Sequence, residues 1–248
     1  VVDAIAPQPA DRFLEIGPGP GVLTTRLAAR VAHLTAIEID RDLAADLRQQ
    51  APPSVEIVTA DVLAVDLAAY VGEAPLRVAG NLPYNISSPI LFKLLAAERG
   101  GRPIFLDATL MLQREVADRL TARPGTKDYG VLTICTAVHA DVVRVLTLPP
   151  GAFRPAPKVH SAVVRLTFIP RRVPAALDAT FVRMVRVMFM QRRKTVGNAL
   201  RPFAGETATN AMEALEVAAI DPGLRPENLD LAALTRLAAA FAGLKPKV

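Results

Sequence analysis

The sequence has one cysteine, Cys135, among 248 residues. That is too few for an intramolecular disulfide framework and fits a reducing, cytoplasmic setting. Its three histidines, His33, His139 and His160, lack metal-ligand spacing, so no metal site is expected and they read as structural or surface residues. No stretch approaches the roughly 18 uninterrupted apolar residues of a membrane span, and the start has no signal-peptide pattern, so no membrane association is expected. Internal repeats are also missing. The chain opens on VVDAIAP, without an initiator Met, so an upstream segment is expected to precede it.

Hydrophobic residues make up 51% of the chain, enough at this length for one large domain or a large and a small one. Net charge is +5, unevenly spread. Residues 1–76 hold 5 Lys and Arg against 11 Asp and Glu, residues 77–170 hold 12 against 6, and residues 171–248 hold 12 against 7. An acidic first third followed by basic sequence suggests a polyanionic partner for the later segments; a basic solvated surface would look similar.

Short apolar runs alternate with helical patterns. FLEIG (13–17), LTAIEI (34–39), VEIVTA (55–60), LRVAG (76–80), TLMLQ (109–113), VVRVLTL (142–148) and SAVVRLTF (161–168) read as strands. VLTTRLAARV, RDLAADLRQQ and SPILFKLLAAE fit helices between them, with Asp40 and Ser87 or Ser88 as N-caps. The alternation predicts an α/β doubly wound sheet whose last two strands pair antiparallel at one edge. After Pro170 the strand signal ends; PRRVP (170–174) reads as a linker, and four segments with helical spacing follow. The expected division is a larger α/β domain over 1–170 and a small helical domain over 171–248.

The first strand runs into EIGPGPG. Gly17, Gly19 and Gly21 permit a tight turn with close ligand approach. A purely structural turn would use the same residues, and the G-x-G-x-G spacing departs from the dinucleotide pattern. Acidic residues sit at successive strand ends: Glu15, Glu38 and Asp61. In a doubly wound sheet those ends form the ligand crevice. Glu38 is placed to accept ribose hydroxyls and Asp61 an adenine amine, with Ile39 and Val62 beside them; Asp61 as a loop or cap residue is the plainer alternative. Such an acidic lining suits S-adenosyl-L-methionine, which has no phosphates; NAD is the alternative.

The fourth strand leaves through AGNLPYNISSP (79–89). An adenine N6 amine is a poor nucleophile because its lone pair is delocalised into the ring. Carbonyls that take its hydrogens favour a pyramidal nitrogen with the lone pair aimed at a sulfonium methyl. The Asn81 side chain and a backbone carbonyl near Leu82 or Pro83 can do this. Pro83 restrains the turn, and Tyr84 can stack on an extruded base, worth about 1–3 kcal/mol. Asn and Pro are also ordinary turn formers.

With FRPAPKVHSAVVRL (153–166), QRRKTVGNAL (191–200) and RPGTKDYG (123–130), the ordered set resembles the ribosomal RNA adenine N6,N6-dimethyltransferase family, in its KsgA-like small-subunit branch, over almost the whole chain. The resemblance implies a Rossmann-like methyltransferase with a helical C-terminal domain. It also implies dimethylation of two adjacent adenosines in the 3′-terminal hairpin of small-subunit rRNA, and a role in assembly of the small ribosomal subunit. Asn81 and Tyr84 match the family's target-base site and Phe153 an aromatic against that base, with a core plug as its alternative. Lys158, Arg192, Arg193 and Lys194 become candidate RNA phosphate contacts, with a solvated basic face as the plain alternative. A monomer is expected. The sequence departs from the family at the Gln-Asn-Phe-Leu-like upstream element, which it does not contain, at Val131 after the Tyr-Gly and at Gly197 where an Arg is usual. A non-catalytic RNA-binding assembly factor and a large-subunit adenine methyltransferase stay open as other readings.

Overall fold

The structure is a computed structural model that describes residues 1–72, 76–152 and 159–243. These fall into two compact units, Val1–Ala117 with His139–Pro170, and Asp118–Val138 with Arg171 onward. The second unit joins Asp118–Val138, a stretch expected in the larger domain, to the segment from Arg171 onward.

The first unit is built on a seven-stranded sheet. Its strands are β1 (Arg12–Ile16), β2 (His33–Glu38), β3 (Val55–Thr59), β4 (Leu76–Asn81), β5 (Phe105–Gln113), β6 (Ala140–Leu148) and β7 (Ser161–Phe168), in the spatial order β3-β2-β1-β4-β5-β7-β6. The first five pair in parallel, while β7 is antiparallel to both β5 and β6. All seven predicted strands form, and the expected antiparallel pair lies at one edge. The runs in β1, β4 and β5 are almost continuously buried, because a parallel sheet covered on both faces has no solvent side to favour polar alternation.

Four helices accompany the sheet: α1 (Val2–Ile5), α2 (Val22–Ala28), α3 (Arg41–Gln50) and α4 (Ser87–Leu95). Val2 and Ile5 of α1 and Leu27 of α2 pack on Phe13, Leu34 and Ala79. Ala44 and Leu47 of α3 pack with Ala36 and Ile57. Asp40 caps α3, its Oδ1 accepting the Asp42 and Leu43 N–H groups at 2.9 and 3.1 Å. Neither Ser87 nor Ser88 caps α4. Ile86 holds the cap position, and the Ser87 hydroxyl turns back to donate to the Tyr84 carbonyl at 3.2 Å.

The chain passes to the second unit within α5 (Arg114–Leu120); α6 (Val131–Ala137), α7 (Asp178–Phe189), α8 (Val196–Ala199), α9 (Arg201–Ala204), α10 (Ala211–Val217) and α11 (Leu231–Phe241) follow. The unit has its own core, in which Phe181, Met184 and Met188 of α7 meet Leu234 and Leu237 of α11. The Phe203 and Phe241 rings meet edge to face at 4.9 Å. Within it the Tyr129 hydroxyl donates to the Leu229 carbonyl at 2.9 Å, which ties 118–138 to the later helices.

Candidate active site

Strand order reverses between β1 and β4, and a ligand crevice is expected beyond the strand ends at such a switch point. A cavity of about 590 Å³ lies there, its wall including Glu15, Gly17, Gly80, Asn81, Thr109 and Met111, with Val1 and Val2 from the start of the chain. The sequence-predicted Glu15, Gly17 and Asn81 are thus brought to one space. Gly19, Gly21, Glu38, Ile39, Asp61 and Val62 are not on that wall.

The glycine turn takes its shape from positive φ angles, +65° at Gly17, +54° at Gly19 and +80° at Gly21, where a side chain is strained. A Cβ on Gly80 would fall 2.9 Å from the Ile16 carbonyl oxygen, so the close approach of β4 to β1 also requires glycine. Glu38 is buried and holds the turn: Oε2 accepts the Gly19 N–H and Oε1 the Asp40 N–H, each at 3.0 Å. Ile39 is 65% exposed, an apolar side chain held out beside that carboxylate. Val62 is buried. Asp61 is exposed, and its Oδ1 accepts the Leu63 N–H at 2.8 Å, the loop role weighed against adenine binding; Oδ2 stays available.

Glu15 is only 1% exposed, and its Oε2 is buried without a hydrogen-bond partner. Burial pushes its carboxyl up to about 7, with the nearby Thr24 hydroxyl pulling the other way and the Glu38 carboxylate adding to the rise. The Thr109 hydroxyl, on the same cavity wall, is also buried and unpartnered. A buried polar atom with no partner costs about 1–3 kcal/mol, and this cavity wall carries two, on Glu15 and Thr109. Glu15 was legible as an acid at a strand end. Thr109 was not, because a lone Thr in an apolar run reads as an ordinary strand former.

At the exit of β4 the turn is fixed from several sides. The Leu82 side chain is a buried plug, its N–H donates to the Met111 carbonyl at 3.2 Å, and the Ile86 N–H donates to the Pro83 carbonyl at 3.2 Å. Asn81 is exposed, and its side-chain amide has no hydrogen bond among the described residues. Tyr84 is half-buried, with its hydroxyl 2.9 Å from Ser161 Oγ.

In the second unit, Arg192 is engaged internally. Its Nη1 donates to the Lys127 carbonyl at 2.7 Å, its Nε lies 3.9 Å from Glu227, and its guanidinium sits 6.0 Å from the Phe189 ring centre. Arg193 and Lys194 are exposed. Phe153 and Lys158 lie outside the described residues. No metal-binding group of His, Cys, Asp and Glu occurs among the described residues, and none of their helices is long and apolar enough to cross a membrane.

Residues 1–230 match the family described as Ribosomal RNA adenine dimethylase. The chain belongs to this family. It is therefore an rRNA adenine dimethyltransferase of the S-adenosyl-L-methionine-dependent kind. It is 46% identical to the Ribosomal RNA small subunit methyltransferase A of Geobacter metallireducens, over 98% of this chain and 90% of that protein. It is also 46% identical to the protein of the same name in Chromobacterium violaceum, over 96% and 87%. Among solved structures, the dimethyladenosine transferase of Plasmodium falciparum superposes with a TM-score of 0.79 at 24% identity, over 99% of this chain and 96% of that one. The 23S rRNA methyltransferase ErmE superposes with a TM-score of 0.70 at 28% identity, over 96% and 95%. The dimethylase fold thus extends over both units of the chain.

Proposed function

We propose that this dimethylase acts on N6 of two adjacent adenosines in the 3′-terminal hairpin of small-subunit rRNA, and that it also binds the immature small subunit during assembly. Identity of 46% to proteins named for the small subunit favours that substrate over the large-subunit one. The protein is proposed to work as a cytoplasmic monomer. The observation that carries the chemistry is the convergence of Glu15, Gly17 and Asn81 on one cavity at the switch point.

S-adenosyl-L-methionine fits the residues present. The orphaned Glu15 Oε2 and Thr109 hydroxyl would take the amino acid end beside the Gly17–Gly21 turn. Glu38 would accept from the ribose, Ile39 and Val62 would flank the adenine, and Asp61 Oδ2 would accept from its amine. When bound, the cofactor supplies a methyl group on a sulfonium centre.

The rest of the work falls to the chain's own groups. The exposed Asn81 amide oxygen would accept one hydrogen of the target N6. The Pro83 carbonyl already accepts the Ile86 N–H, so the Leu82 carbonyl is the proposed second acceptor. Together they would draw N6 out of conjugation and fix the direction of its lone pair. Tyr84, with Phe153 as the second aromatic, would stack on the extruded base. Lys158, Arg193 and Lys194 would contact RNA phosphates, and Arg192 would brace the loop that carries the latter two.

Asn81→Ala tests this arrangement. Losing one preorganised acceptor lowers the methylation rate by about a hundredfold, while salt-sensitive binding to under-methylated small subunits persists. Retained methylation in the variant would remove Asn81 from the reaction. Binding with no turnover in the unaltered protein would favour the assembly-factor reading.

A further inference from the structure

Ser161 is 0% exposed and stands at the first position of β7, paired with Gln113 of β5 on one side and Leu148 of β6 on the other. Just before it, the His160 carbonyl accepts the Arg114 N–H at 2.9 Å. Its backbone is therefore held by two ladders, and its hydroxyl lies 2.9 Å from the Tyr84 hydroxyl. Tyr84 follows β4, which is not a neighbour of β7; β5 lies between them. Strand spacing puts β4 and β7 about 10 Å apart. The Tyr84 side chain is thus a strut across β5 at the carboxyl end of β4.

A buried hydroxyl needs a partner, so this bond also satisfies Ser161. Its further consequence follows from what else holds the turn. The Leu82 N–H, the Ser87 hydroxyl and the buried Leu82 side chain fix the backbone around Tyr84. What those contacts leave free is the direction in which the Tyr84 side chain extends from the backbone, and the Ser161 hydroxyl, bonded at the far end of the ring, restrains it. We propose that Ser161 is a positioning residue for methyl transfer, fixing where the Tyr84 ring lies so that a target base is stacked at one place. The proposal rests on the reading of Tyr84 as the stacking surface. The gain is preorganisation: a base stacked on a ring of fixed position presents its amine to the acceptors at Asn81 and Leu82 without a search.

Methylation kinetics on under-methylated small subunits, with kcat and KM separated, test the proposal in Ser161→Ala, Tyr84→Phe, the double variant and Tyr84→Ala. Calorimetry gives the cofactor affinity of each. Ser161→Ala and Tyr84→Phe break the same bond while keeping the ring. Each is expected to lower kcat by about tenfold with cofactor affinity unchanged, the double variant falling no further than either. Multiplicative losses in the double variant would overturn the proposal, as would a rise in KM alone. Wild-type rates in both single variants beside an inactive Tyr84→Ala would sink the role of Ser161 and leave the stacking reading intact. Full activity in Tyr84→Ala would remove both. Should Ser161→Ala fail to fold, Tyr84→Phe carries the test through its own kcat.

Discussion

Glu15 is an acid in an otherwise apolar strand, and its burial makes the neutral form the favoured one in the folded protein. With its carboxyl raised from 4.5 to about 7, the native state holds a proton that the unfolded chain has released. Stability contributed by this group is therefore greatest below about 4.5 and falls as pH rises toward 7. Glu15→Gln removes this contribution to the slope, as denaturant titrations on either side of the window will show. A cationic ammonium beside Glu15 reverses the preference and favours the carboxylate. Affinity for S-adenosyl-L-methionine should thus rise with pH up to about 7 and then level off. Calorimetry on Glu15→Gln should find affinity lower by roughly tenfold and that rise gone; an unchanged profile would place the ammonium elsewhere.

At the scale of elements, α1 shows how the sheet holds a piece too short to be stable alone. Its four residues end on carbonyls that two strand arginines bind. Arg77 of β4 donates to the Ile5 and Ala6 carbonyls at 2.8 and 3.2 Å while pairing with Asp11 at 2.6 Å and Asp107 at 2.9 Å; Arg165 of β7 takes the Ala4 carbonyl. Arg77→Met would leave two carboxylates without their shared cation, a loss of about 3–5 kcal/mol. A fall in melting temperature is expected, with weaker cofactor binding because Val2 helps wall the cavity.

The strands were legible because burial on both faces writes them as apolar runs, and the long C-terminal helices because their apolar residues recur at helical spacing. The hairpin Glu98–Arg99 with Arg102–Pro103 is too short to give a period. Helix α6, VLTICTA, is rich in β-branched residues; its helical state depends on tertiary context, including the Thr133 hydroxyl that donates to the Arg119 carbonyl. Within the site, acids and glycines at strand ends could be read. The part of Ser161 could not, since it depends on two strands separated by a third.

For the whole molecule, the feature that bears on RNA binding is where the basic residues lie. The excess of basic residues lies after residue 76, and in the second unit Arg193 and Lys194 stand exposed while Arg192 is engaged internally. Neutralising both Arg193 and Lys194 is expected to weaken binding to small subunits and reduce the slope of log affinity against log salt by about 1.4 to 1.8. Cofactor affinity should not change. An unaltered slope would make these two residues a solvated face.

The most direct test is incubation of the protein with methyl-labelled S-adenosyl-L-methionine and under-methylated small subunits, followed by nucleoside analysis. Label should appear as N6,N6-dimethyladenosine at two adjacent positions in the 3′-terminal hairpin of small-subunit rRNA. Label confined to large-subunit rRNA, or no label in subunits that the protein demonstrably binds, would contradict the account.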